Sequence, residues 1–185
     1  LSCKACKTEC PSNVDIAKLK AEYTAQRYSA AGGPPLSALM FGNVRLLNRV
    51  GSATAPLANR VNRLLPVKWI LERALRIDRR RNVLAFDSSL ARDFAVPASV
   101  SVPDDRPVVA IFGDCFTMYN DPRIGRATRR VLGAFGYRVE LADAGCCGRA
   151  KNSMGLLPQA IDEIDATIER LSPWIENDRV CAIVV

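Results

Sequence analysis

Three cysteines within the first ten residues limit what this chain can fold into more than any other feature of its sequence. Cys3, Cys6 and Cys10 have the spacing C-x2-C-x3-C, and Pro11 follows the last of them. Short spacings of this kind are typical of thiolates that ligate an iron–sulfur cluster. We therefore predict that these three cysteines are metal ligands.

The spacing resembles the end of the bacterial ferredoxin run C-x2-C-x2-C-x3-C-P. In that alignment the first cysteine of the run would stand one residue before Leu1. The cysteine that precedes the proline ligates the other cluster in two-cluster ferredoxins, so Cys10 would serve a centre whose remaining ligands also lie upstream. We expect the chain to be a piece of a larger redox protein.

The cysteine count and the composition favour reduced thiols. Seven cysteines is an odd number, and their clustering argues against a secreted disulfide framework. Histidine is absent, which excludes histidine acid–base catalysis, Rieske centres and Cys2His2 zinc fingers within the chain. No apolar run reaches the roughly 18 residues of a membrane span, and no signal-peptide pattern opens the chain. We expect a cytoplasmic location, with peripheral association of the parent protein at the inner membrane as an open alternative.

The net charge of +7 is interpreted as a solvated surface and not as a nucleic-acid site. Aromatic residues make up only 6% of the chain, and the basic residues are read as dispersed. The one compact basic run, Arg79 to Arg81, is read as a solvated helix end.

The sequence predicts an α/β protein in three stretches. Residues 1–31 carry the cysteine segment and a helix, and residues 32–104 read as a helical spacer punctuated by proline and glycine. Residues 105–185 predict a βαβαβ unit with a parallel sheet. Its strands are the apolar run 108–112, the alternating segment 137–141 and the apolar run 180–185, and its helices begin near Pro122 and Pro158. The large apolar residues of both helices are expected to be buried.

Three further cysteines follow two neighbouring strands. Cys115 comes just after the first strand, and Cys146 and Cys147 come just after the second. The carboxyl ends of parallel strands meet at one edge of the sheet, where ligands bind in open α/β folds. Gly145 and Gly148 permit the backbone angles that two adjacent thiolates need. We therefore predict a second metal site formed by these cysteines, whereas Cys181, inside an apolar strand, is predicted to be core.

Four polar residues near these cysteines are softer candidates for hydrogen bonds to sulfur or for charge compensation. They are Asp114, Tyr119, Arg149 and Ser153. Each has an alternative of equal weight, as a turn residue or a surface charge.

Together these motifs resemble a known family of redox proteins. The segment from Cys3 to Asp15 resembles the end of the ferredoxin-type module in the group formed by the iron–sulfur subunits of glycerol-3-phosphate dehydrogenase and glycolate oxidase. Gly113-Asp114-Cys115 and Cys146-Cys147-Gly148-Arg149 resemble the first half of the cysteine-rich CCG domain, which also occurs in heterodisulfide reductase. The middle stretch resembles FAD-linked oxidases of the D-2-hydroxyglutarate and D-lactate dehydrogenase types.

The resemblance implies an iron–sulfur electron-transfer module of a FAD-dependent 2-hydroxy-acid dehydrogenase. It implies that the six cysteines bind clusters, [4Fe–4S] at Cys3, Cys6 and Cys10, with FAD in an upstream flavin domain of the same polypeptide and a quinone or other acceptor as partner. No residue of this chain is then a catalytic residue for the carbon chemistry. Two alternatives stay open: a CCG-type disulfide reductase subunit, and a zinc-stabilised structural scaffold.

Overall fold

The computed structural model describes residues 5–97 and 102–185, apart from the side chain of Cys6. In chain order the helices are α1 Ala5–Thr8, α2 Ile16–Ala30, α3 Leu36–Gly42, α4 Val44–Ala53, α5 Ala55–Val61, α6 Leu65–Leu75, α7 Leu90–Phe94, α8 Cys115–Tyr119, α9 Pro122–Ala134, α10 Arg149–Ser153 and α11 Leu157–Ile175. The strands are β1 Val108–Phe112, β2 Arg138–Ala142 and β3 Val180–Val184. None of the described helices is long and apolar enough to cross a membrane.

The three strands form one parallel sheet in the order β2-β1-β3, which confirms the predicted α/β class. Strand β1 is central and buried along its whole length, since every one of its residues is apolar and both neighbouring strands pair with it. Helix α9 joins β1 to β2, and helix α11 joins β2 to β3. Both loops that follow β1 and β2 therefore lie at the same edge of the sheet.

The buried faces of α9 and α11 differ from the sequence prediction. Helix α9 buries Pro122, Gly125 and Gly133, whereas its large apolar residues Ile124, Val131 and Phe135 are exposed. Helix α11 likewise buries Ala160 and Thr167 and exposes four isoleucines, which are Ile161, Ile164, Ile168 and Ile175. The small residues allow close helix packing: a Cβ atom at Gly125 would lie 2.4 Å from Leu90 Cδ2.

The prediction that Cys181 is core is wrong. Its side chain is exposed, and its Sγ lies 3.3 Å from the carbonyl oxygen of Val108, to which the thiol donates. The register of β3 against β1 shifts between Val108 and Val109, so that Cys181 is the extra residue of a bulge. A bulge on an edge strand turns the extra side chain out of the alternating pattern that the sequence shows.

The expected spacer contributes to the core and covers the carboxyl edge of the sheet. Leu90 of α7 is fully buried against Met118 and Tyr119 of α8. Helix α4 packs on α8, and helix α3 packs on α10. Residues from the middle of the chain are consequently brought to the loops that carry Cys115, Cys146 and Cys147.

Candidate metal and thiol site

Cys115 is positioned by a tight turn at the end of β1. The Oδ1 atom of Asp114 accepts hydrogen bonds from the backbone N–H groups of Phe116, at 2.8 Å, and Thr117, at 3.2 Å. Asp114 is thus the N-cap of α8, and Cys115 is the first residue of that helix. The Asp114 carboxylate has the role of a turn residue, which is one of the two interpretations open from the sequence.

The loop that carries Cys146 and Cys147 is held from α11. Thr167 Oγ1 donates to the carbonyl oxygen of Cys146 at 2.8 Å, and Arg170 Nη1 donates to that of Ala144 at 3.3 Å. Gly145 and Gly148 have φ values of 107° and 71°, in the left-handed region that favours glycine. The loop conformation therefore depends on both glycines and on two buttressing side chains.

The structure brings the three sheet-edge cysteines together, and we refer to Cys115, Cys146 and Cys147 as the thiol cluster. Cys115 and Cys146, and likewise Cys146 and Cys147, interact closely enough for each thiol to shift the pKa of its neighbour. Cys146 is only 4% exposed, Cys115 is half-buried, and Cys147 is exposed. All three are free thiols. The cluster therefore runs from a buried sulfur to one at the surface.

The three thiols have different acidities because they donate to one another in a row. The hydrogen bond from Cys146 and the nearby Arg45 cation lower the pKa of the Cys115 thiol to about 7, against the opposing effect of burial. The same hydrogen bond raises the pKa of Cys146, and donation to Cys146 together with burial raises that of Cys147. Cys115 is the sulfur that this environment stabilises as a thiolate.

Arg45 is a site residue that the sequence prediction missed. From α4, its Nη1 donates to the carbonyl oxygen of Gly113 at 2.8 Å, and its Nη2 pairs with Asp143 Oδ1. The guanidinium also lies 5.7 Å from the centre of the Tyr119 ring. Arg45 thus ties together the loops after β1 and β2 and places a positive charge beside Cys115. Nothing in the sequence distinguishes it from the other arginines, and it lies 98 residues from Asp143.

Asn48, one turn further along α4, was also missed. Its Nδ2 donates to Asn120 Oδ1 at 2.8 Å and lies 3.4 Å from the carbonyl oxygen of Cys115. The side chain is buried, so these bonds satisfy a group that would otherwise be costly to bury. Arg45 and Asn48 together anchor the expected spacer at the thiol cluster.

The other predicted polar residues are distributed around the cluster. Tyr119 is buried beneath Arg45, and burial raises the pKa of its hydroxyl. Arg149 is exposed at the start of α10, where its backbone N–H and its charge both favour the Cys147 thiolate. Ser153 ends α10, is half-buried and makes no side-chain hydrogen bond to the described residues. Arg149 is accordingly the one of these three placed to act on a cluster thiol through its charge.

The N-terminal cysteines are only partly described. Cys3 lies outside the described residues, and Cys6 lies in α1, whose backbone alone is described at that position. Cys10 is half-buried, and its Sγ accepts a hydrogen bond from the backbone N–H of Val14 at 3.4 Å.

The donor type of the thiol cluster fits either an iron–sulfur cluster or a zinc ion, since cysteine thiolates ligate both. Across residues 5–97 and 102–185, no three Cys, Asp or Glu side chains are grouped so that they could hold a single metal ion. Both kinds of centre commonly take four protein ligands, so at least one further ligand would come from outside the thiol cluster.

A cleft of about 340 Å³ opens beside Cys146. Arg45, Arg49, Lys151 and Arg170 contribute positive charges to its wall, and Asp143 and Glu163 contribute negative ones. Lys151 and Glu163 form an ion pair whose side chains are both largely buried. Cys146 is the thiol-cluster residue that lines this cleft.

Fold and site together define a class: an α/β domain with a cysteine-rich site at the carboxyl edge of a parallel sheet. Among curated proteins, the chain is similar to the C subunit of anaerobic glycerol-3-phosphate dehydrogenase from Escherichia coli strain K12 and from Escherichia coli O157:H7. In each case the identity is 28% over 166 residues, which cover 87% of this chain. The chain spans about 40% of the length of these relatives. No family model matches the chain, and no solved structure matches it significantly.

Proposed function

We propose that this chain is an iron–sulfur electron-transfer module of an oxidoreductase. The observation that carries the proposal is the thiol cluster: three free thiols on the loops at the carboxyl edge of the sheet, which shift one another's pKa, with the Arg45 cation beside the one whose pKa is lowered. Thiolates in such a partly buried, positively charged setting are typical ligands of iron–sulfur clusters.

The similarity to part of a dehydrogenase supports the redox part of the proposal. It extends over 87% of this chain. The relatives are named as subunits of a dehydrogenase, which favours a role in an assembly with other subunits or domains. We propose that the assembly here is a FAD-dependent 2-hydroxy-acid dehydrogenase and that a quinone or another acceptor takes the electrons.

In this proposal six cysteines hold the metal. Cys3, Cys6 and Cys10 would ligate [4Fe–4S] clusters, and the thiol cluster would ligate a further centre together with ligands outside it. A bound iron–sulfur cluster would supply reversible one-electron storage. The chain's own residues set its surroundings: Arg45 and Arg149 offset negative charge, Thr167 and Arg170 fix the loop, and burial of Cys146 limits contact with water.

The test is an assay of iron, acid-labile sulfide and zinc on the anaerobically purified full-length parent, together with its visible spectrum. Iron and sulfide equivalent to two or more four-iron clusters, with a flavin band bleached by a D-2-hydroxy acid, would support the proposal. Zinc without sulfide would contradict it and favour the structural scaffold.

A matched pair of variants assigns the metal to the sheet edge. Cys146→Ser removes the buried sulfur of the thiol cluster, and Cys181→Ser removes an exposed sulfur of β3 that contacts only a backbone carbonyl among the described residues. We expect loss of iron and sulfide in the first variant and wild-type content in the second. Equal content in both variants would remove the thiol cluster from the proposal.

The coupling between Cys115 and Cys146, each of which shifts the pKa of the other thiol, favours a second candidate function, a CCG-type disulfide reductase. Two adjacent thiols can reduce a substrate disulfide by exchange, becoming a disulfide themselves while two substrate thiols are released. Turnover of a small organic disulfide by the reduced parent, abolished in both Cys115→Ser and Cys146→Ser, would favour this candidate. Absence of turnover with intact iron content would favour electron transfer.

A further inference from the structure

Most of the net positive charge of this chain arises in one segment. Residues 57–81 contain eight Lys and Arg residues against two acidic ones, a net charge of +6 out of +7 for the whole chain. The acids are already engaged: Arg80 pairs with Asp78 at 2.6 Å, and Arg79 lies 3.5 Å from Glu72. Five arginines of the segment form no ion pair with any described residue; they are Arg60, Arg63, Arg73, Arg76 and Arg81.

The same segment exposes large apolar side chains. Leu65 is 78% exposed and Trp69 is 57% exposed. Further exposed apolar residues continue the patch along α5 and the start of α6; they are Leu57, Val61, Leu64 and Ile70. Exposed apolar residues that adjoin one another in this way, next to uncompensated charge, mark an interaction surface.

The spacing on α6 places apolar and basic groups on one face. Leu65, Trp69 and Arg73 are four residues apart, so they are neighbours along the outer face of the helix. The half-buried residues of α6 have the complementary spacing, and α6 packs on α3; they are Val67, Lys68, Leu71, Glu72 and Leu75. Beyond the helix, Arg76 and the run to Arg81 extend the charge from the end of the apolar patch.

We propose that α5, α6 and the basic run to Arg81 form a membrane-surface element that lies on anionic phospholipid. Leucine and tryptophan side chains on one face would enter the acyl boundary, while long arginine side chains would reach the phosphate groups. Juxtaposed basic residues are attracted by the negative potential of an anionic leaflet. An acidic protein surface would satisfy the arginines, but the apolar patch is convex, since it follows the outer side of a helix, and offers no groove for a partner segment.

This inference does not rest on the proposed electron-transfer role, because none of its residues contacts the thiol cluster. The test is sedimentation of the full chain with vesicles of phosphatidylcholine, with and without added phosphatidylglycerol. We expect binding to the anionic vesicles only, and release by salt. In a Trp174→Phe variant, which leaves Trp69 as the only tryptophan, binding should shift the fluorescence to shorter wavelength.

Two variants and two matched controls test the surface. Arg73→Gln with Arg76→Gln should weaken binding about 30-fold, since each basic residue near an anionic surface contributes about a fivefold gain. Trp69→Ser should weaken binding but leave its dependence on salt concentration unchanged. The control for the arginine pair is the double variant Arg106→Gln with Arg130→Gln, and the control for Trp69→Ser is Phe135→Ser. Both change exposed residues elsewhere in the fold and should bind like wild type.

Thermal unfolding followed by circular dichroism checks that every variant is folded. Absence of binding to anionic vesicles overturns the proposal. So does an equal loss in the test and control variants, because general charge would then explain the attraction. Binding of soluble polyglutamate without binding of vesicles would overturn it in favour of an acidic protein partner.

Discussion

Cys10 and Cys115 are both half-buried free thiols, but their surroundings differ. Cys10 follows the four-residue helix α1, whose side chains at Lys7, Thr8 and Glu9 are exposed. Cys115 follows a strand that is buried at every residue, and Arg45 and Asn48 reach its loop from another part of the chain. The N-terminal cysteines are close together in the sequence, whereas those of the thiol cluster are brought to one edge of the sheet by the fold. A fold can preorganise the second kind of site without metal, and not the first.

Amide exchange in the metal-free chain should show the largest difference between the two regions. We expect the amides of β1 to exchange at least about a thousandfold more slowly than those of residues 5–10, because strand amides open only with the sheet. Hydrogen–deuterium exchange read by mass spectrometry measures both regions in one sample. Comparable protection of residues 5–10 without metal would break the comparison.

Leu90→Ala should weaken the sheet region by about 3 kcal/mol, since it removes a fully buried side chain that packs on Met118 and Tyr119. Urea unfolding followed by circular dichroism gives the free energy. Leu65→Ala, at an exposed position, should change it by less than about 0.5 kcal/mol. If the two variants were equally stable, the core assigned to α7 and α8 would be wrong.

Gly148→Ala should cost about 2 kcal/mol because two effects add. Its φ is 71°, and an added Cβ would lie 2.6 Å from Ile164 Cγ1 and 3.1 Å from the carbonyl oxygen of Ala160. Gly136→Ala is the control: its φ is 84°, but nothing lies within 4 Å of the added Cβ. The control should cost about 1 kcal/mol, from backbone strain alone. Equal losses in urea unfolding would show that the loop is not closely packed.

The smallest expected effect concerns the reactivity of Cys115. With its pKa lowered to about 7, more of the thiol is ionised at neutral pH than in the unfolded chain. The gain in thiolate outweighs the loss in nucleophilicity, so alkylation at pH 7 should be about sixfold faster than in urea. Mass spectrometry of the metal-free chain measures the rate at each cysteine.

The pH dependence of this alkylation identifies the cause. The rate at Cys115 should fall as the pH drops below about 7, because protonation removes the thiolate. Cys146→Ser changes the donor that chiefly stabilises this thiolate and should move the midpoint to higher pH, whereas Cys181→Ser should leave it in place. An unchanged midpoint in Cys146→Ser would show that the fold does not tune Cys115.

The strands could be predicted because continuous apolar runs and the turn residues that bound them are local features of the sequence. The position of Cys115, Cys146 and Cys147 at one edge of the sheet could be predicted because each follows a strand directly. The run 108–112 is a strand with those bounds, and helix α9 begins at Pro122. The buried faces of α9 and α11 were not predictable from residue size, because close packing at Gly125 and Ala160 turns the isoleucines outward. Arg45 could not be identified as a site residue, since its contacts span the chain and its surrounding sequence has no motif.

The pairing of Arg45 with Asp143 has a consequence for the order of folding. The two residues are separated by 98 positions, so this contact closes one of the longest loops in the molecule. The entropy of closing such a loop is recovered only once β1 and β2 have paired, which places the contact late along the folding route. During synthesis, Arg45 leaves the ribosome well before Asp143, so the guanidinium can bridge the two sheet-edge loops only after residue 143 has emerged.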